Sequence, residues 1–445
     1  MLTLKPYYWW GRGYGTATTT FTIREKIGKT TITRTVLAYR ESYNYTDRPG
    51  IIADLKLKPT KDFDLHVGYW YEHAKLKQFR PSFPVQVNLD GSFTLITSNI
   101  GTPTFRYNYI QLTKTYTNTP YILLEGTNLM SKLDISLGLK LGQVKRDFKS
   151  YRTTGVPFSP KDSVYDLPLQ LNQGASYSKT YRRVLPSFSV GYQLTESIYP
   201  YFAYARNFRV PKNFLFPFGI PANMTAEQIA RNLKPEVSDS FDLGVRLDYG
   251  TLYVVPSIYY VKYKDRIIYV ADPDNPNISY PQNAGKVDAY GAELEVAFKP
   301  TRNLSIYSSV SYNIAKFKDD QICTGTSATT CINIKDNQVP NTPKFMFKTG
   351  IDYKVWNLRI SPSLQYVSSR YGNLTNTEKV SGYTLVNLNA SADIYRARGR
   401  NITAYLDLYN LFDKKFIGRI SPGDTAGTYY VGAPFTVAVG IRGGF

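Results

Sequence analysis

Apolar and aromatic residues alternate with polar ones along most of the chain. Phe63, Leu65, Val67, Tyr69 and Tyr71 are interleaved with Asp64, His66, Gly68, Trp70 and Glu72. Successive side chains of an extended strand face opposite ways, so this stretch carries one apolar, aromatic face and one mostly polar face. The pattern recurs. Ala292, Leu294, Val296 and Phe298 alternate with Glu293 and Glu295, and after a turn at Pro300 to Asn303 the series resumes with Leu304, Ile306, Ser308, Val310 and Tyr312. Near the end Phe435, Val437, Val439, Ile441 and Phe445 share one parity, which makes the last strand amphipathic to its final residue. One helix interrupts the series, Thr225 to Asn232, capped by Thr225 and stopped before Pro235.

The connections between strands fall into two classes. Short turns are predicted near 25–28, 59–61, 129–131, 196–198, 249–250, 300–303, 355–356 and 396–401, and longer connections near 44–47, 80–104, 151–177, 209–235, 269–285, 319–342, 371–378 and 413–427. Short and long alternate, which is the asymmetry of an antiparallel transmembrane β-barrel with tight turns on one rim and long loops on the other. A sandwich would have short turns at both ends, and a propeller or solenoid would repeat with a fixed period. The count is about 17 strands, with boundaries good to a few residues. The first strand, roughly Tyr14 to Arg24, is expected to run from the long-loop rim downward. Since the last strand ends at the short-turn rim, this direction implies an odd number of strands ahead of it.

Composition agrees with a barrel and removes other classes. The 445 residues are 42% hydrophobic and 15% aromatic, with Tyr 39 and Phe 23, too rich for disorder and too polar on average for a helical membrane bundle. No apolar run of about 18 residues exists, because the nearest, Leu252 to Val261, contains Pro256 and Ser257. Length alone suggests about three domains, but the continuous strand pattern replaces them with one, spanning 1–445. Cys323 and Cys331, in a Gly/Ser/Thr-rich loop, read as a local disulfide, the alternative being two unpaired loop thiols. A zinc site lacks a nearby His. The start, LTLKPYYWW after Met1, has no signal-peptide pattern. The expectation is therefore that these residues are not the start of the whole protein.

Several stretches resemble the C-terminal barrel of TonB-dependent outer-membrane receptors. The likeness lies in YARNFRVPKNF (Tyr204 to Phe214), LKPEVSDSFDLGVRLDYG (Leu233 to Gly250), NAGKVDAYGAELEVAFKPTRNLSIYSSVSY (Asn283 to Tyr312), NTPKFMFKTGIDY (Asn341 to Tyr353), VSGYTLVNLNASADI (Val380 to Ile394), YNLFDKKF (Tyr409 to Phe416) and the terminal Phe445. Before about residue 200 it rests on strand pattern alone. The resemblance implies outer-membrane uptake of ferric siderophores or a similar scarce nutrient, energised through TonB, with no covalent chemistry. It implies no resident cofactor, iron entering only within the transported chelate. Phe445 resembles the signal read by the barrel-assembly machinery; as a residue it is equally an interface aromatic. Neither a TonB-binding motif nor a plug domain is recognisable, and a full barrel of about 22 strands would leave about five missing. Such a piece should expose two strand edges and not fold stably in a membrane alone.

Candidate chemistry is sparse. His66 and His73 lie on opposite faces of one strand about 23 Å apart, so they cannot form one site. His66 is on the polar face and reads as a lumen hydrogen-bonding residue; no GxSxG, P-loop or HExxH is present, and no catalysis is expected. The formal charge is +20. Lys145, Arg146, Lys149, Arg152, Lys179, Arg182, Arg183, Arg206, Arg209 and Lys212 are assigned to lumen strands and loops, near the outer ends of neighbouring strands, where they would attract anionic chelates or, on the outside, lipopolysaccharide phosphates, or simply serve as a basic surface for solubility or lipid contact. Nucleic acid is disfavoured, with no recognition helix and no RRM, OB or zinc signature. Candidate ligand-binding residues are Arg206, Arg209 and Lys212 for an anion, with Phe214, Phe216 and Phe218 to grip it; equally, those aromatics could pack loops together. The alternative function is a plug-free passive pore, which requires its first and last strands to pair.

Overall fold

A computed structural model of the chain describes residues 1–95, 106–151, 173–213, 224–272, 275–319, 321–324, 330–397, 400–424 and 426–444. The core is one antiparallel sheet of 17 strands. Sixteen are consecutive neighbours: β1 Leu2–Ile27, β2 Thr30–Thr60, β3 Phe63–Val87, β4 Arg106–Leu129, β5 Leu133–Tyr151, β6 Gln173–Tyr192, β7 Ile198–Arg209, β8 Glu236–Asp248, β9 Leu252–Lys264, β10 Val287–Thr301, β11 Leu304–Phe317, β12 Phe345–Val355, β13 Leu358–Val367, β14 Tyr383–Ala397, β15 Arg400–Tyr409 and β16 Thr436–Gly444. The seventeenth, Phe93–Leu95, pairs with the outer end of β3.

The alternation sets the faces. Val67, Ile122, Leu137, Leu139, Val184, Leu243 and Ile258 are exposed on one face, as a lipid-facing belt requires. The opposite face is polar and cross-linked. Arg48 donates to both oxygens of Glu72 at 2.9 Å, and the same carboxylate accepts from Tyr7 at 2.9 Å. Tyrosines also lie flat across glycines of the neighbouring strand. A Cβ on Gly68 would fall 2.3 Å from the Tyr121 hydroxyl, so the ring occupies the space that glycine leaves.

Two sequence expectations are overturned at the start of the chain. The loop expected at 44–47 does not exist: β2 runs unbroken through it, because Asn44 accepts from Gln78 at 2.6 Å and Asp47 from Arg12 at 2.8 Å, cross-strand partners that satisfy the residues that looked like a turn. The turn near 25–28 is real, with Gly28 at φ +63°, but it sits at the far, outer end of a long hairpin. Consequently β1 runs upward, starting with Leu2 opposite Leu55 at the short-turn rim. Both terminal strands then meet the same rim, and the inference of an odd number of preceding strands falls. Among the described residues β1 pairs only with β2 and β16 only with β15, so each presents an open edge.

Strand length divides the sheet into two walls. Strands β1 to β6 are 19 to 31 residues long, whereas β7 to β16 are 9 to 15. A tilted transmembrane strand needs only about 9 to 11 residues. The tall wall therefore continues far beyond the membrane as ladder, and the short wall gives way to folded loops.

Candidate functional site

The loops of the short wall are built by side chains that bond their own backbone. Asn410 and Asp413, at φ 50° and 47°, end β15: Asn410 accepts from the Lys414 amide at 2.8 Å, and Asp413 accepts from Phe435 at 3.0 Å. The helix, Ala226–Asn232, has Thr225 as its N-cap in a capping box with Gln228. Its C-terminal carbonyls are held by Lys179, whose Nζ donates to Ala230, Arg231 and Leu233 at 2.7 to 2.8 Å. That basic residue is thus spent on a helix end.

Neighbouring loops are sewn together. Asn373 is fully buried; its Oδ1 accepts from the amides of Thr377 at 3.1 Å and Glu378 at 3.2 Å. Asn376 and Gln338 exchange bonds, the Gln338 amide donating at 2.7 Å and Asn376 Nδ2 returning one at 2.8 Å. Glu378 accepts from the Gly427 amide at 2.7 Å and from the Tyr429 hydroxyl, and the tyrosine followed by the amide holds its carboxyl below the usual range. Arg370 reaches the Ile417 carbonyl at 2.7 Å.

One segment crosses from the short wall to the tall one. After Arg209 the chain folds inward. Arg146 of β5, only 4% exposed, donates to the Pro211 carbonyl and, at 3.4 Å, to the Thr115 hydroxyl, while Thr113 of β4 donates to the Asn213 carbonyl at 3.2 Å. Residues 210–213 therefore form a strap pinned to β4 and β5, strands that do not neighbour β7.

Beside the strap lies a cavity of about 560 Å³. Its charged lining is Arg209, Lys212, Arg266 and Asp424, with Tyr269 among them, and Val210, Pro211, Ile267, Ile268, Phe317, Val339, Pro340 and Leu374 supply the apolar part. Arg209 donates to Glu236 at 2.8 Å, an oxygen that also accepts from the Ile267 amide at 3.1 Å and so fixes the hairpin carrying Arg266 and Tyr269. The Lys212 ammonium lies 5.4 Å from the centre of the Tyr269 ring, and Arg266 5.3 Å from that of Tyr263. Burial pushes the Tyr269 hydroxyl up to about 12, so it stays protonated and able to donate at neutral pH. The arrangement offers three cations and a phenol to a ligand with an apolar body, which suits an anion bearing hydrophobic parts.

The sequence-predicted residues separate. Arg209 and Lys212 line the cavity; Arg206 does not. It points to the opposite face, its Nε 2.7 Å from Asp239, above Tyr204 and Phe241. Phe214, Phe216, Phe218 and Phe445 lie outside the described residues. Cys331 is disulfide-bonded, no cysteine is free, and the backbone of Cys323 stands opposite it in a small hairpin. His66 is bracketed by Asp54 at 2.9 Å and Glu125 at 3.7 Å, a cross-link among β2, β3 and β4. His73 stacks on Tyr116 at 4.5 Å. Among the described residues no cluster of three or more His, Cys, Asp or Glu could hold a metal ion. Arg266, Tyr269 and the strap anchor Arg146 are the additions that the sequence did not single out as ligand-site residues.

A family profile described as "TonB dependent receptor-like, beta-barrel" matches residues 3–411. Among curated proteins, the chain is 23% identical over 235 residues to a ferrichrome outer membrane transporter/phage receptor of Escherichia coli, covering 51% of this chain and 28% of that protein. It is 24% identical over 271 residues to a metal-pseudopaline receptor of Pseudomonas aeruginosa, covering 57% and 34%. In fold it is similar to the ferric yersiniabactin uptake receptor of Yersinia pestis, with a TM-score of 0.65 at 17% identity over 98% of this chain and 58% of that one. The ferric-catecholate import receptor of E. coli K12 gives 0.66 at 15%, over 99% and 61%. The alignments thus span about a third of the curated relatives and about three fifths of the solved structures.

Proposed function

The chain belongs to the TonB-dependent receptor β-barrel family, whose barrels sit in the outer membrane of Gram-negative bacteria, and from that premise we propose that it serves the uptake of an anionic ferric chelate. The observation that carries the reading is the cavity at the outer mouth, where Arg209, Lys212 and Arg266 converge with Tyr269 over an apolar wall. A negatively charged chelate gains charge-assisted hydrogen bonds there and buries its ligand carbons against Ile268 and Pro340. Import then depends on TonB, reached through a plug, as in the family. The barrel supplies walls and gripping loops and performs no covalent step. A passive pore needs β1 to pair with β16, and among the described residues it does not.

Equilibrium dialysis of the full 445-residue chain with radiolabelled ferric citrate and with the neutral chelate ferrichrome tests this. Ferric citrate is expected to bind more tightly, and Lys212→Gln with Arg266→Gln to weaken it by about tenfold or more. Equal binding of both chelates, indifferent to the two substitutions, would overturn the reading.

A further inference from the structure

The lumen face of β4 to β6 carries a polar floor, and none of its residues lines the mouth cavity. Arg146 of β5 lies opposite Thr115 of β4 on one side and Lys179 of β6 on the other; Thr113, Tyr177 and Tyr181 stand two positions along the same strands and so share that face. The strap at 210–213 is bonded to this floor by Arg146 and Thr113, and the helix by Lys179. Beneath them Thr113, Arg146, Tyr177 and Tyr181 are only 1 to 5% exposed.

The two cations of the floor are matched by neutral oxygens. Arg146 donates to the Pro211 carbonyl and the Thr115 hydroxyl, Lys179 donates to three helix carbonyls, and among the described residues neither forms an ion pair. Other arginines of the chain are treated differently: Arg12, Arg48, Arg206 and Arg209 each meet a carboxylate at 2.7 to 2.9 Å. Like charges facing one another across a ladder destabilise it, and a buried guanidinium held by carbonyls forgoes the stronger bond that a carboxylate would accept. A further donor stands beside it. The Tyr181 hydroxyl lies diagonal to Arg146 and near enough for the guanidinium charge to act on it; it is buried and has no hydrogen-bond partner among the described residues.

We infer that this floor is a second station for a carboxylate of the chelate, formed by Arg146, Tyr181 and Thr115, with the strap as the gate between it and the mouth. The inference rests on the reading of the mouth as an anion site. In this structure the Pro211 carbonyl holds the place of one carboxylate oxygen before the guanidinium. The strap is tied besides by Thr113, which donates to the Asn213 carbonyl at 3.2 Å, and by Thr115, which donates to Asn213 Oδ1 at 3.4 Å. A carboxylate that replaces the carbonyl gains a charge-assisted bond from Arg146 and another bond from the Tyr181 phenol, whereas a neutral chelate gains neither. An anion leaving Arg209, Lys212 and Arg266 therefore meets positive charge again directly beneath the strap.

Equilibrium dialysis of the full chain, read as equivalents of radiolabelled ferric citrate bound, tests it in a variant whose strap is loosened by Thr113→Val with Asn213→Ala. The wild type is expected to hold one equivalent at the mouth, and the loosened variant a second, bound at least about tenfold more tightly than any second equivalent in the wild type. Adding Arg146→Gln should weaken the second equivalent at least about tenfold, and adding Tyr181→Phe about threefold, with the first within about twofold. Lys212→Gln with Arg266→Gln in the loosened variant should remove the first equivalent and spare the second, so that failure at the mouth and failure at the floor are seen separately. Should the double variant fail to fold, Asn213→Ala alone carries the test with an expected gain of about threefold. No second equivalent in the loosened chain, a second equivalent indifferent to Arg146→Gln, or equal uptake of neutral ferrichrome at that station would each overturn the assignment.

Discussion

The two walls solve the same problem, satisfying backbone beyond the membrane, in opposite ways. The tall wall extends its ladder: β1 and β2 remain paired from Leu2 and Leu55 out to Ile27 and Thr30, and residues beyond Ala38 on β2 have no partner but β1. Apart from the open edge of β1 and that outer stretch of β2, the described strands of this wall meet their amides across the ladder. The short wall stops its strands early and spends polar side chains, chiefly Asn373, Asn376, Asn410 and Glu378, on closing loops. Ladders make surfaces and loops make cavities, so the candidate ligand site belongs to the short wall. The tall wall contributes the Thr113 hydroxyl and the buried Arg146 guanidinium to hold the strap.

That division can be broken at the strap. Arg146→Ala leaves the Pro211 carbonyl and the Thr115 hydroxyl without a donor, a local cost of about 2 kcal/mol or more, or at least about 30-fold in exchange of the strap amides. Hydrogen exchange of 206–213 reads this; unchanged protection would show that the walls are not coupled there. Next in size is Asn373→Ala, which removes the buried acceptor for two amides of the turn and should cost about 2 kcal/mol, read as faster proteolytic nicking of 370–378.

A smaller effect comes from acid. Because the Glu378 carboxyl is held below its usual range by Tyr429 and Gly427, its contribution is complete above the ordinary glutamate value and is lost as pH falls through the lowered one. Protection of 426–431 should therefore be constant from about pH 7 to 5 and decline below about pH 4; a decline already complete at pH 5 would contradict the sign. The smallest effect is expected from the tall wall's free ribbon. Replacing residues 21–36 by a two-residue turn between Thr20 and Leu37, which face each other in register, should change stability by under about 0.5 kcal/mol and leave chelate binding intact.

How much of this the sequence discloses follows the same division. Alternation exposes a strand wherever one face meets lipid, so β3, β10, β11 and β16 are legible, as are turns ending in Asn410 or Asp413 and the Thr225 cap. The 44–47 segment misleads because Asn and Asp look alike whether they turn a chain or pair across strands; only the partners Gln78 and Arg12, distant in sequence, tell the cases apart. Parity places Arg209 and Arg206 on opposite faces, yet both read as mouth residues, since the inward end of β7 is set by where its ladder stops. Arg266 and Tyr269 sit in a short hairpin after β9 whose inward course is decided by Glu236, again a long-range contact. Local pattern reveals elements; the site arises from pairings that local pattern does not contain.

The central claim is that the short wall's loops, and not the tall wall's ribbon, form the outer site for an anionic chelate. Hydrogen exchange of the full chain with and without saturating ferric citrate measures it directly. The account predicts added protection at 210–213, 266–269, 374–378 and 421–424, with the ribbon at 20–37 unchanged; protection confined to the ribbon, or absent from the cavity segments while the chelate is bound, would contradict it.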